Sequence, residues 1–133
     1  MKPINIFWLV VGMVFSKPSP PAGKYYKRVS GHLCAETEWL HRKPKEDLIL
    51  TVVCNAARVS SAALSVDFSE PNTYKISAVS EKRYKLFRAR VLKDCKDVFR
   101  MGLSDMAILQ HSKPNKIVTR LDHHTIIVTQ GNC

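Results

Sequence analysis

The 133-residue sequence predicts an α+β fold, in which a single helix packs on an antiparallel β-sheet that is held by two disulfide bonds. Apolar residues recur with a helical period in one segment only, and several later segments alternate or are rich in β-branched residues, as strands are. Four cysteines, an even number, are typical of a small exported domain. A chain of this length has room for one domain, and its 45% hydrophobic content excludes a disordered or low-complexity chain.

The N-terminus has the features of an export signal. Lys2 precedes an apolar run over residues 4–15, which has the length of a signal h-region and is too short to cross a bilayer. We expect cleavage after Ser16, with Gly23 as a second candidate; the alternative is a buried N-terminal strand or helix. No other stretch approaches the length of a membrane span, so no stable membrane insertion is expected. The predicted organisation is a signal peptide at 1–16, a Pro-rich segment at 17–24 and a single domain at 25–133.

The segment 45–60 is predicted to be the one helix. Pro44 stands at its start, and Glu46 and Asp47 occupy the first turn, where the helix dipole favours acids. Its apolar residues recur at spacings of three and four: Leu48, Ile49, Val52, Val53, Ala56 and Val59.

The segments that follow are predicted to be strands, at 73–79, 83–92, 105–110, 117–121 and 125–129. In the second of these, alternation places Phe87, Ala89 and Val91 on the inner face. Residues 112–115 have turn chemistry, and residues 122–124 form a tight connection.

The spacing of the four cysteines does not select one of the three possible disulfide pairings. A cysteine at position 133, the last residue, has little structural use unless it ties the C-terminus down. Because Cys34 lies near the start of the folded part, a Cys34–Cys133 bond would join the two ends and leave Cys54 to pair with Cys95. No C-x-x-C pair is present, which argues against structural zinc and against thioredoxin-type redox chemistry.

Positive charge is concentrated in one part of the chain. The net charge is +10, from 21 Lys and Arg against 11 Asp and Glu, and loss of Lys2 with the signal leaves +9. The basic residues are densest between Lys82 and Arg100. A strand at 83–92 would carry an aromatic ring and cations on one face, which suits phosphate neutralisation and base stacking. The predicted RNA- or partner-binding residues are Tyr84, Lys85, Arg88, Arg90 and Lys93; the alternative is a solvated outer face whose charges prevent aggregation.

The adjacent histidines His123 and His124 are the best candidates for proton transfer. A metal site needs three or four converging ligands, and no spaced histidine partner is present, so neither a metal ion nor a cofactor is expected. A ribonuclease mechanism needs an acid and a base on either side of the reacting phosphate, and Glu81 is the only glutamate close to the basic strand. The alternative is a hairpin turn with exposed imidazoles. Serine-hydrolase and nucleotide-binding glycine motifs are absent from the sequence.

Three stretches resemble the ribonuclease-like secreted effectors of powdery mildew fungi, known as RALPH effectors. Residues 29–34, Val-Ser-Gly-His-Leu-Cys, stand where that family has an aromatic-x-Cys motif, although His32 replaces the aromatic. Residues 46–54 resemble its amphipathic helix, and residues 105–133 resemble its closing strands and terminal cysteine.

The resemblance implies the fold of fungal guanyl-specific ribonucleases and a bond between the first and last cysteines, here Cys34 and Cys133. Enzymes of that fold use Glu, Arg and His on successive strands. The nearest positions here hold Leu86 or Phe87, Met106 and Arg120, so the resemblance implies a scaffold without catalytic activity.

The function predicted first is a secreted, non-catalytic virulence effector that acts in or on host plant cells, as a monomer, by binding RNA or a host protein. The alternative is a small secreted basic ribonuclease that uses His123 or His124. A membrane-active antimicrobial protein is disfavoured, because the charges fall on a predicted strand and not on an amphipathic cationic helix.

Overall fold

The computed structural model describes residues 20–42, 45–112 and 115–133. The predicted signal peptide at 1–16, residues 17–19, Pro44 and the predicted turn residues Lys113 and Pro114 lie outside the described residues. The described part of the chain is mostly β-sheet, with a closed eight-stranded antiparallel barrel and one short helix. The predicted α+β, ribonuclease-like fold is therefore wrong, whereas the two disulfides are present.

Nine strands and one α-helix form the described part of the chain. They are β1 (Gly23–Ser30), β2 (Leu33–Arg42), β3 (Lys45–Cys54), β4 (Ala57–Ser60), β5 (Leu64–Ser69), β6 (Thr73–Ile76), α1 (Glu81–Asp94), β7 (Ile108–Ser112), β8 (Lys116–Leu121) and β9 (His124–Gln130), with a 3-10 turn at Ala78–Ser80. Apart from β4, each strand pairs with the next one along the chain, and β9 pairs with β1 to close the ring. The barrel is therefore an up-and-down meander.

The short strand β4 continues the line of β5 along the same side of β3. Ser60 pairs with Thr51 and Leu64 pairs with Leu48, so residues 61–63 bulge opposite 49–50. Ser61 keeps this irregular stretch bonded: its backbone N donates to the carbonyl of Leu50, and its Oγ accepts from the Leu50 backbone N. Such a bulge bends the strand, which helps a sheet to close on itself.

The interior of the barrel is filled by alternate side chains. Along β3, every second residue is buried: Leu48, Leu50, Val52 and Cys54. They share a face with their register partners on β2, which are Trp39, Thr37, Ala35 and Leu33. Eight strands leave an interior that side chains of this size can fill, so the barrel is a packed core.

The predicted helix at 45–60 is wrong, because this segment forms the hairpin of β3 and β4. Ile49 and Val53 are half-buried on the outer face of β3, so the strand carries apolar residues on both faces. That double row also satisfies spacings of three and four, which is why it imitates a helix. Asn55 takes a positive φ of 52° in the turn, a conformation that Asn tolerates better than most residues.

The predicted strand at 83–92 is also wrong, because these residues lie in α1. Tyr84, Phe87 and Val91 are its buried residues, at spacings of three and four, whereas Ala89 is exposed. Lys, Arg, Leu and Ala are strong helix formers, and Val91 is the one β-branched residue between 81 and 94.

The remaining strand predictions hold in part. The predicted strands at 117–121 and 125–129 correspond to β8 and β9, joined by a tight turn in which Asp122 and His123 have φ of 53° and 65°. The predicted strand at 73–79 ends at Ile76, and the one predicted at 105–110 begins at Ile108.

Helix α1 packs against β4 on one side. On the other side it bonds to residues 95–107, which we call the connector. Arg90 donates to the carbonyl of Ser60 and Arg83 to the carbonyl of Ala63, on the β4 side. The bond Cys54–Cys95 fastens the end of β3 to the residue after α1, and Cys34–Cys133 fastens β2 to the C-terminus. This is the pairing that we expected from the position of Cys133.

Candidate functional site: a lateral groove and a basic helix face

The five predicted binding residues do not lie on one face. With about 3.6 residues per turn, a helix turns alternate residues away from each other. Tyr84 is buried, and Arg88 is half-buried on the flank that faces the connector. Arg90 bonds to β4 on the opposite flank, whereas Lys85 and Lys93 are exposed. The predicted strand face with an aromatic ring among cations does not exist.

The ring of Tyr84 belongs to the core. Its hydroxyl donates to the backbone carbonyl of Asp105, and its side chain is 5% exposed. Burial, and secondarily the nearby Asp105 carboxylate, raise the pKa of Tyr84 well above its usual value, although Arg88 acts in the opposite direction. A ring in this position is not available to stack on a base.

The side chain of Asp105 holds the connector beside the helix in place. Its carboxylate oxygen Oδ2 accepts from the backbone N of Gly102 at 2.8 Å and from that of Asp122 at 2.9 Å, which joins the connector to the β8–β9 turn. Arg88 holds the same connector from the helix, because its Nε donates to the carbonyls of Met101 and Gly102 at 3.2 and 3.0 Å. No described residue bonds the terminal nitrogens of the Arg88 guanidinium.

A groove of about 510 Å³ lies on the outside of the barrel between β6, α1 and the connector. Its lining residues are Lys75, Ile76, Glu81, Tyr84, Lys85, Arg88, Leu103 and Ala107. The backbone N of Ile76 donates to the Ala107 carbonyl at 3.1 Å, which holds the strand and the connector together at the floor. We call this cleft the lateral groove. It contains three of the predicted residues: Tyr84, Lys85 and Arg88.

The outward side of α1 forms a second surface, which we call the basic helix face: Lys82, Lys85, Leu86, Ala89 and Lys93. All five residues are exposed, and Leu86 exposes 60% of its surface among the lysines. Lys85 pairs with Glu81 at 3.2 Å, but both side chains are more than half exposed, so the pair contributes little. The surface is strongly cationic with an apolar centre.

The two histidines lie in the β8–β9 turn and on the first residue of β9, and both are exposed. Neither lines the lateral groove, and Glu81 lies at the start of α1 with its carboxylate paired to Lys85. Within 20–42, 45–112 and 115–133, no three His, Cys, Asp or Glu side chains converge as a metal site would require.

The three positions compared with ribonuclease catalytic residues do not lie on successive strands. Leu86 and Phe87 are on α1, Met106 is buried in the connector with a φ of 60°, and Arg120 is exposed on β8. The stretch 46–54, which was compared with the amphipathic helix of the RALPH effectors, is strand β3.

Sequence reasoning missed the groove residues that come from outside the basic segment. Lys75, Ile76, Leu103 and Ala107 reach the groove from β6 and the connector. They lie before and after α1 in the single stretch from β6 to β7, and the fold of that stretch places the connector and the end of β6 beside the helix. No local sequence signal marks them.

α1 is too short and too polar to cross a membrane, and no other helix described here is long and apolar enough to do so. The two disulfides are compatible with an extracellular protein. In comparisons with known proteins, no family model matches the chain, and neither a curated protein nor a solved structure matches it.

Proposed function

We propose that this chain is an exported, non-catalytic binding protein whose basic helix face contacts an acidic surface of another protein. The observation that carries the proposal is the composition of that face, in which lysines surround the exposed side chain of Leu86. A mixed surface of this kind suits a protein interface, where cations steer association and an apolar centre supplies buried area.

A protein partner is favoured over RNA because of Tyr84. Binding of single-stranded RNA gains much of its affinity from bases stacked on exposed aromatic rings. Tyr84 is the aromatic residue that the RNA hypothesis used, and it is buried with its hydroxyl bonded to Asp105. The basic helix face itself has no aromatic residue.

The secretion of the protein and its site of action are also proposals. We propose secretion from the apolar N-terminal run and the even number of cysteines, and action as a virulence effector in or on host plant cells from the resemblance to the RALPH effectors. The ribonuclease that uses His123 or His124 stays the weaker hypothesis, because these exposed side chains lie in the β8–β9 turn and at the start of β9, outside the groove.

The test compares two labelled probes by fluorescence anisotropy across a salt series: a peptide of alternating Glu and Leu, and an oligouridine. The exported protein is expected to bind the peptide more tightly, and Lys82→Glu/Lys93→Glu is expected to weaken peptide binding by about tenfold or more. The matched control, Lys27→Glu/Lys116→Glu, makes the same charge change on exposed residues of β1 and β8.

Three results would count against this function. Equal losses in the two double variants would mean that net charge, and not this face, determines binding. Tighter binding of the oligouridine, unaffected by Leu86→Ser, would favour RNA. Cleavage of the oligouridine that is lost in His123→Ala/His124→Ala would identify an enzyme.

A further inference from the structure

We infer that the lateral groove is a binding site for a small amphipathic carboxylate, a molecule with an apolar tail and one anionic head. This binding role differs from the protein-binding role of the basic helix face, although the two surfaces share Lys85. It rests on the shape of the groove, on its apolar floor and on the cations at its rim.

The floor of the groove is apolar. Ile76 and Ala107 line it with the nearly buried Tyr84, and Leu103 also lines the groove with 79% of its surface exposed. A leucine that is so exposed next to a cleft gains free energy if a ligand covers it. The volume, about 510 Å³, is in the range of small-molecule sites.

The rim of the groove is cationic. Lys75, Lys85 and Arg88 face one acid, Glu81, and that acid is paired with Lys85. Asp67 stands opposite Lys75 in the β5–β6 register, but it does not line the groove and its carboxylate accepts from the Ser77 hydroxyl at 2.8 Å. Asp105 lies near Tyr84, but it does not line the groove and its carboxylate accepts from two backbone N–H groups. The lining side chains therefore carry an excess of positive charge that would attract an anionic head and repel a cationic one.

Arg88 is already oriented for such a head. Its Nε is fixed on the Met101 and Gly102 carbonyls, which limits the rotamers of the side chain. Its terminal nitrogens, which no described residue bonds, can donate a pair of parallel hydrogen bonds to a carboxylate. Because the side chain is half-buried and positioned beforehand, less entropy is lost when the ligand binds.

The apolar floor distinguishes a carboxylate with a tail from a free inorganic anion. Phosphate or sulfate would contact the rim alone and leave Leu103 and Ile76 in water. A ligand with an aliphatic tail satisfies both parts of the groove, since a buried methylene contributes about 0.8 kcal/mol.

Three probes with an eight-carbon chain test the site: octanoate, octanol and octyltrimethylammonium, titrated into the isotopically labelled protein and followed by amide chemical shifts. Octanoate is expected to shift amides at 75–76, 103 and 107 and to bind at least about tenfold more tightly than the other two probes. Inorganic phosphate serves as the head-group control. Equal affinity for octanol, equal affinity for phosphate, or octanoate shifts confined to other residues would overturn the inference.

The matched variants are Lys75→Glu, on the rim, and Lys82→Glu, on the outward side of α1; both residues are exposed and make no described ion pair. Lys75→Glu is expected to weaken octanoate binding by about tenfold, whereas Lys82→Glu leaves it nearly unchanged. The neutral variant Lys75→Gln keeps the test valid if the reversal disturbs β6. Equal effects of the two reversals would refute the site. Loss of peptide binding in Lys82→Glu with octanoate binding intact would show that the groove and the helix face act separately.

Discussion

The hydroxyl of Tyr84, like the guanidinium of Arg88, links the helix to the connector. Tyr84→Phe removes its hydrogen bond to the Asp105 carbonyl while it keeps the ring in the core, so we expect a loss of about 1 kcal/mol in the free energy of unfolding at pH 7. Urea denaturation of the two proteins measures this difference.

The same substitution is expected to change the alkaline stability. Burial raises the pKa of Tyr84 above 10.0, so the folded state favours the neutral phenol, and this contribution is complete below pH 10 and declines as the pH rises beyond it. Tyr84→Phe should therefore lose less stability than the wild type above pH 10. Tyr74, whose pKa is raised by burial and by Glu46, accounts for part of the loss that remains. Parallel curves for the two proteins would show that Tyr84 is not a source of the alkaline loss.

Glu36 is a second residue whose side chain connects distant parts of the chain. It is 2% exposed, accepts from the backbone N of Cys133 at 2.9 Å and pairs with Arg58 at 3.3 Å. Glu36→Ala leaves the Cys133 N–H and the Arg58 guanidinium without these partners, and we expect it to cost about 2 kcal/mol.

Glu81→Ala is the matched control for this substitution, since it breaks the exposed pair with Lys85 and is expected to cost less than about 1 kcal/mol. The measurement is the midpoint and slope of chemical denaturation for each variant. Equal losses for Glu36→Ala and Glu81→Ala would contradict the role assigned to Glu36.

At the scale of elements, the sequence predicted the C-terminal hairpin well. Residues 116–130 alternate around a two-residue turn, and local periodicity is sufficient there. The prediction from sequence failed for β3, a strand with side chains buried or half-buried on both faces. Val53 and Ile49 are half-buried on the outer side of β3, so the sequence shows no clean alternation and imitates a helix.

The segment 83–92 shows the opposite error, since a strand was predicted and the structure has a helix. The basic residues there alternate with apolar ones over a short stretch, which favours a strand, but the buried set of Tyr84, Phe87 and Val91 follows the helical period. Because a helix was predicted for β3 and β4 and a strand for α1, the lateral groove could not be predicted. The groove needs α1 and the connector to pack beside β6, and that packing is a tertiary arrangement of the segment between β6 and β7.

The bond Cys54–Cys95 is expected to determine the stability of α1 as an element. A link across 41 residues contributes about 4 kcal/mol in the loop-entropy model, so Cys54→Ala/Cys95→Ala should lose roughly that amount. Because the bond ties the residue after α1 to the end of β3, we also expect amide hydrogen exchange in α1 to become faster than in the β2–β3 ladder. Uniform acceleration across the protein would show that α1 is held by its packing alone.

At the scale of the whole molecule, barrel closure depends on a short seam. Strands β1 and β9 share the register pairs Tyr25–Gln130 and Tyr26–Thr129, and beyond them Gly131 donates its backbone N–H to the Lys24 carbonyl. Gly131 has a φ of 137°, and a Cβ there would lie 2.5 Å from the Tyr26 ring, so the close approach requires glycine. By contrast, β2 and β3 pair along ten positions.

The bond Cys34–Cys133 reinforces that seam, since it holds the chain after β9 to β2, the neighbour of β1. It spans 99 residues, so Cys34→Ala/Cys133→Ala is expected to lose about 5 kcal/mol in the loop-entropy model. We expect the barrel of this variant to open first at the seam, with amides at 24–26 and 129–131 exchanging through local openings while the β2–β3 ladder exchanges only on global unfolding. Cys54→Ala/Cys95→Ala is the control, because it removes a bond between β3 and the residue after α1 that does not hold the chain after β9. If both double variants open first at α1, or if the ladder exchanges as fast as the seam, the disulfide does not serve to close the barrel.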